Sequence, residues 1–204
     1  MKKAIKQSLK IMVFCLSILL LSSSTALAED NIFKVGYLAA GKVTTAASGS
    51  EAKFDLGGSV AFWFERALEI NEDFELGYGV ALQLSGEFEE DDDYYSFHEK
   101  ESICFPFFLL LNYYPLTIEG LPYLTGHFGY NLMLYDDGYN NTTLHGLYFA
   151  LGAGIRLPGY PNVRAEVLYT ANSGSGTVVD VWDDTSEKVK VSLSRICLNV
   201  GFGF

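Results

Sequence analysis

From Phe74 to Ser85 the chain alternates without a break. Phe74, Leu76, Tyr78, Val80, Leu82 and Leu84 take the even positions, and Glu75, Gly77, Gly79, Ala81, Gln83 and Ser85 the odd ones. A period of two belongs to a strand, which points successive side chains to opposite faces, and it excludes a helix over the same span. Phe54, Leu56, Val60, Phe62 and Phe64 oppose Asp55, Gly57, Ser59, Ala61, Trp63 and Glu65 in the same manner, and Leu147, Phe149, Leu151, Ala153 and Ile155 oppose Tyr148, Ala150, Gly152, Gly154 and Arg156. Eight strands are predicted, near residues 32–40, 54–66, 74–86, 102–114, 122–133, 144–157, 162–172 and 188–204. In the fourth, Phe105–Leu111 is continuously apolar, yet Ile103, Phe105, Phe107, Leu109, Leu111 and Tyr113 still keep one parity. Pro106 has no N–H to give to a ladder, so a bulge or local break is expected there.

The connections alternate as well. Segments 41–53, 87–101, 134–143 and 173–187 are long, whereas 67–73, 115–121 and 158–161 are short. Long and short connections in strict turn separate the two ends of an up-and-down meander. A soluble eight-stranded barrel would place its apolar side chains inside. Here the opposite face collects Asp55, Glu65, Glu75, Gln83, Arg156, Arg164 and Glu166 among many glycines and alanines. Those charges would be costly against a hydrocarbon core but can pair with one another in a narrow lumen. The expected architecture is therefore all-β: an eight-stranded antiparallel up-and-down transmembrane β-barrel with long extracellular loops and short periplasmic turns.

Residues 1–28 read as a secretory signal peptide. Lys2, Lys3, Lys6 and Lys10 precede the apolar run Ile11–Leu21, and Ala26-Leu27-Ala28 forms a small-x-small cleavage site. The run has 11 residues, short of the ~20 that span a bilayer as a helix. Residues 29–204 then form a single barrel domain. Without the four leader lysines, ten basic and 25 acidic side chains remain, a net −15. Nucleic acid is excluded as a partner, since binding it requires a basic face.

The last strand alternates Ile196, Leu198, Val200, Phe202 and Phe204 with Cys197, Asn199, Gly201 and Gly203, and the chain stops on the aromatic residue. In this it resembles the small outer-membrane β-barrel family of the OmpA- and OmpX-type barrels. Phe105–Met133, with Asn112-Tyr113-Tyr114 at a strand end and Pro122-Tyr123 at a strand start, is similar to that family's middle hairpin. The resemblance spans essentially residues 30–204. It implies residence in the cell outer membrane among lipid and lipopolysaccharide, and it implies that Phe204 is the signal read by the barrel-assembly machinery.

Candidate chemistry is sparse. His127 takes the lumen parity, and some small barrels are lipid A deacylases that carry a His-x-Ser-Asn run on a strand. Here the run is His127-Phe128-Gly129-Tyr130, which gives no nucleophile beside the base. His98 and His145 lie in or beside loops, and no metal-ligand spacing, phosphate loop or nucleophile elbow occurs. No catalytic residue, cofactor or metal site is expected. Glu65, Glu75 and Glu166 share parity with Arg156, Arg164 and Arg195, which predicts a lumen plugged by a charge network. Cys104 and Cys197 fall on strands four and eight, on opposite walls, too far apart for a disulfide.

The long loops hold what neither lipid contact nor lumen filling requires. Asp91, Asp92 and Asp93 lie in the second, Asp136 and Asp137 in the third, and Trp182 among further acids in the fourth. Tyr94, Tyr95, Phe97, Tyr135 and Tyr139 interleave with them. The acids make either a hydrated crown or a surface that shares Ca²⁺ or Mg²⁺ with lipopolysaccharide phosphates or meets a surface partner. Three classes of function follow: a non-enzymatic envelope or surface-interaction barrel, which is the expectation for a monomer of this kind; a narrow channel for small or hydrophobic molecules; and a lipid A-modifying enzyme.

Overall fold

The computed structural model describes residues 29–47, 50–84, 88–89, 101–115, 122–136, 141–179 and 186–204. Residues 1–28, including the expected signal peptide, lie outside them. Eleven strand segments form one antiparallel sheet. They are β1 (Glu29–Leu38), β2 (Gly41–Ala47), β3 (Ser50–Leu56), β4 (Ser59–Asn71), β5 (Phe74–Leu84), β6 (Phe88–Glu89), β7 (Glu101–Tyr113), β8 (Pro122–Asp136), β9 (Asn141–Leu157), β10 (Tyr160–Val179) and β11 (Ser186–Gly203).

Registers reduce the eleven to eight. Leu38 pairs with Ser59 and Gly41 with Leu56, so β2 and β3 prolong the β1–β4 hairpin without slippage. Ala61 pairs with Gln83 and Asp55 with Glu89, so β6 prolongs β5 in the same way. The remaining strands follow in order, and β1 returns to β11, from Ile32 opposite Gly203 to Leu38 opposite Cys197. That last ladder closes the ring at eight strands. Closure is what a membrane demands, because it leaves no backbone edge to be solvated.

The outer surface is apolar. Leu109, Leu124, Phe128, Leu147, Leu151, Val167, Leu198 and Phe202 are each more than half exposed, with Tyr37, Tyr130 and Tyr169 above them and Phe74 stacked on Tyr113 below at 4.9 Å. Such a belt with aromatic girdles is a lipid-facing wall. The inner surface carries Lys34, Glu65, His127, Arg164, Glu166, Arg195 and Asn199, all buried. Its upper end is apolar, with Val43, Leu56, Cys104, Met133, Leu144, Val191 and Leu193 packed together. The lumen is thus polar at mid-height and closed by hydrocarbon above, where small and charged residues alone were expected.

Three expectations are corrected or narrowed by the structure. Phe54–Glu65 is not one strand with one apolar face. Leu56 is buried and Asp55 exposed, whereas Ala61, Trp63 and Glu65 are the buried residues farther on. The inward parity switches across Gly57-Gly58, and it switches on the neighbouring strand too, from Leu38 to Val43. Against β11 the β1 and β2 registers differ by one residue, which marks a bulge at Ala39–Gly41. Second, of the bulge or local break expected at Pro106 the break is what occurs: Pro106 stays in register opposite Asn131, and the ladder toward β5 is interrupted there. Third, much of the long connections is strand: 41–53 is largely the β2–β3 hairpin, and β10 and β11 stay paired as far as Val179 and Ser186.

Candidate functional site

The lumen places the charged residues in three tiers. In the lowest, Glu75 of β5 accepts hydrogen bonds from Asn112 Nδ2 at 2.9 Å and Tyr114 OH at 2.8 Å. Arg164 of β10 donates to it from Nη1 at 3.0 Å, and Arg156 of β9 forms a second ion pair with it. Arg156 also lies over the Tyr114 ring, 4.9 Å from its centre. One carboxylate is thus shared by two guanidiniums.

The middle tier inverts that ratio. Lys34 Nζ of β1 lies 2.6 Å from Glu65 Oε2 and 2.6 Å from Glu166 Oε1, with all three side chains at 1% exposure or less. Tyr123 OH donates to Glu166 at 2.6 Å. Lys34 was not among the predicted network residues. The signal was present in Phe33–Leu38, where Phe33, Val35 and Tyr37 alternate with Lys34, Gly36 and Leu38 and so assign the lysine to the lumen.

In the upper tier Arg195 of β11 donates to neutral acceptors, Ser59 Oγ at 2.8 Å and the Leu84 carbonyl at 3.2 Å. Asn172 Nδ2 donates to Gln83 Oε1 at 2.8 Å beside it. Of the six predicted network residues, then, Glu75, Arg156 and Arg164 come together, Glu65 and Glu166 meet through Lys34, and Arg195 meets no carboxylate among the described residues.

His127 sits in the middle tier, stacked on Phe108 with ring centres 4.5 Å apart. Its Nε2 is 3.3 Å from Thr125 Oγ1 and 3.7 Å from Glu65 Oε1, and Nδ1 is 3.5 Å from Tyr148 OH. A hydroxyl, an imidazole and a carboxylate are therefore adjacent, but the aliphatic hydroxyl of Thr125 and the Glu65 carboxylate meet the same ring nitrogen, and the other faces only the Tyr148 phenol at 3.5 Å. A relay needs the acid on one nitrogen and the nucleophile on the other. Among the described residues no cluster of His, Cys, Asp or Glu could hold a metal ion.

Cys104 and Cys197 are free and buried, on β7 and β11, four strands apart around the ring in either direction. Phe204 ends the closing strand, its N–H donating to the Asn31 carbonyl at 2.9 Å, with its ring exposed. Asp136 closes β8 opposite Asn141. Asp91, Asp92, Asp93, Asp137 and Trp182 lie outside the described residues.

No family model matches the chain, and no curated protein does. Solved structures do. The outer membrane protein OprG from Pseudomonas aeruginosa superposes with a TM-score of 0.50 at 13% identity, over 86% of this chain and 96% of that one. The attachment invasion locus protein Ail of Yersinia pestis gives 0.48 at 17%, over 87% and 99%. AlkL, an outer membrane protein solved by solid-state NMR in lipid bilayers, gives 0.49 at 16%, over 90% and 94%. The fold is that of the small outer-membrane β-barrels.

Proposed function

We propose that this chain is a non-enzymatic outer-membrane barrel, monomeric in lipid, that acts in envelope structure or surface interaction through its extracellular segments. The observation that carries the proposal is the lumen itself. Its carboxylates are engaged by Lys34, Arg156 and Arg164, and an apolar layer from Val43 to Leu193 lies above them. Eight strands enclose space for little more than side chains, so the interior is accounted for by packing and charge pairing. The arrangement at His127, with Thr125 and Glu65 on one nitrogen, gives no support to an acyl-transfer site. Function then falls to the acidic and aromatic segments at the extracellular end, since binding residues concentrate on loops held by a rigid scaffold.

The test replaces Asp91, Asp92 and Asp93 with Asn. Membrane insertion and heat-modifiable gel mobility should be unchanged, whereas Ca²⁺- or Mg²⁺-dependent association with lipopolysaccharide or a surface partner should weaken. High salt should weaken it too, because exposed charges are screened over roughly 8–10 Å. If the triple variant binds normally while His127→Ala loses an envelope phenotype, the activity lies inside the barrel and the proposal fails.

A further inference from the structure

The outer face of β10, β11 and β2 changes character at its extracellular end. The apolar belt stops there at Tyr169 and Ile196, which stand opposite each other and are nearly half exposed. Beyond them the outward positions of β11 are Ser194, Ser192, Lys190 and Lys188, since Arg195, Leu193 and Val191 between them are buried. Lys188 and Lys190 are exposed. Lys42 of β2, also exposed, stands opposite Ser194, and Thr44 stands opposite Ser192. On the other flank Ser175 of β10 stands opposite Lys190 and Thr177 opposite Lys188. Among the described residues no carboxylate takes an outward position on these three strands above Tyr169 and Ile196. Glu187, the one acid in the spans, has the inward parity of Val189 and Val191. Strand β3 bounds the face, with Asp55 opposite Lys42 and Glu51 paired with Lys53 at 3.4 Å. Keeping an exposed hairpin soluble does not call for lysines, because acids serve that end better, and this chain carries 25 acids against 14 bases.

Lys190 lies six residues beyond Ile196 and Lys188 eight. At about 3.3 Å per residue and a strand tilt near 40°, they stand roughly 15 and 20 Å above the edge of the apolar belt. That height is clear of acyl chains and within the layer of sugars and phosphates that lipids of the leaflet carry. At the foot of the face a cleft of about 540 Å³ opens outward, lined by Lys42, Asp55, Ser194, Tyr169 and Ile196. The cationic face is therefore continuous with the lipid-facing wall. A ligand that is apolar below and an anionic saccharide above matches the whole series of surfaces, whereas a soluble polyanion matches the upper part alone.

We propose that this face docks the phosphorylated core saccharide of a lipopolysaccharide molecule in the same leaflet, with Lys188 and Lys190 contacting phosphate and Lys42 at the foot. Lysine binds phosphate as a point charge, and the serine and threonine hydroxyls beside it both donate and accept, as sugar hydroxyls require. The contact needs no metal ion. The acidic segments take the same phosphates only through a divalent cation, so the two readings fail separately.

The test uses the protein purified from outer membranes in detergent micelles, native mass spectrometry and buffers containing EDTA. The probes are rough lipopolysaccharide with a phosphorylated core, the same lipopolysaccharide lacking its core phosphates, and lipid A. The first should be retained best. Lys188→Gln/Lys190→Gln should weaken its retention about 25-fold, roughly fivefold for each lysine near an anionic surface, and leave lipid A unaffected. Both side chains are exposed, so folding is not at stake, and heat-modifiable gel mobility checks it. Thr177→Glu/Ser192→Glu should weaken retention as well, whereas Lys53→Gln on the bounding strand should change it little. Replacing Asp91, Asp92 and Asp93 with Asn should leave it intact in EDTA. Equal retention with and without core phosphates, or no response to Lys188→Gln/Lys190→Gln, would overturn the proposal. Loss of wild-type retention in EDTA would also overturn it and return the contact to the acidic segments. Displacement by an equimolar amount of free core oligosaccharide would overturn the assignment to a lipid.

Discussion

Replacing Lys34 with Met removes the only lysine or arginine that reaches Glu65 or Glu166 within 4 Å among the described residues, in a site where all three side chains are essentially inaccessible. Breaking a buried ion pair from one side costs roughly 3–5 kcal/mol, since the remaining charge stays buried. The cost is not shared equally. Glu166 keeps the Tyr123 hydroxyl at 2.6 Å, whereas Glu65 keeps only His127 at 3.7 Å. Lys34→Met/Glu65→Gln should therefore recover more stability than Lys34→Met/Glu166→Gln, by about 1–2 kcal/mol if one hydrogen bond to a charged group separates them. Guanidinium unfolding in lipid vesicles, followed by Trp63 fluorescence in a Trp182→Phe background, measures both effects. Trp63 is buried in the lumen and is one of the two tryptophans of the chain. A loss below about 1 kcal/mol for Lys34→Met would refute the reasoning, because it would mean that water or another cation serves the two carboxylates. Equal rescue by the two double variants would refute the assignment of the penalty to Glu65.

Unreduced mature protein, denatured and alkylated, should gain two groups, at Cys104 and Cys197, and a mass without them would contradict the strand order. Gly36→Ala should cost about 1–3 kcal/mol by overpacking: its Cβ would lie 2.8 Å from the Trp63 ring and 3.0 Å from Cys197 Sγ. Gly203→Ala, whose Cβ would meet nothing nearer than 3.6 Å, should be neutral in the same unfolding assay. In planar bilayers the wild-type chain should give no steady conductance, and long-lived single-channel steps would favour the channel reading.

Fold and wall were legible because lipid and lumen impose opposite demands on alternate residues, and few substitutions satisfy both. The face of each long strand could be read from parity alone, as could the pairing of Arg156 and Arg164 with some carboxylate. Which carboxylate could not, because parity fixes the face but not the height at which a side chain stands or the direction in which it reaches. Lys34 escaped for a different reason. A single cation between Phe33 and Val35 carries little weight until the face opposite those residues is counted. The switch at Gly57-Gly58 was hidden by arithmetic: Leu56 and Val60 are four apart, so an even series runs through a break that turns the chain over. The clue was two facing small-residue stretches, Ala39-Ala40-Gly41 and Gly57-Gly58, on strands that pair. The apolar layer above the tiers was missed because its members come one or two at a time from β2, β3, β7, β8, β9 and β11.

The paired length of β10 and β11 has a consequence for what the acidic tips can touch. β10 runs for 20 residues. At about 3.3 Å per residue and a tilt near 40°, a strand of that length rises roughly 50 Å, against an apolar belt of about 25 Å. About half the height of that strand therefore rises beyond the apolar belt as hydrogen-bonded ladder, paired up to Val179 and Ser186. A paired stalk of this kind holds its upper end, at Val179 and Ser186, above that belt without the entropy loss of a floppy tether. Whatever meets that end of the ladder does so at a fixed distance from the lipid.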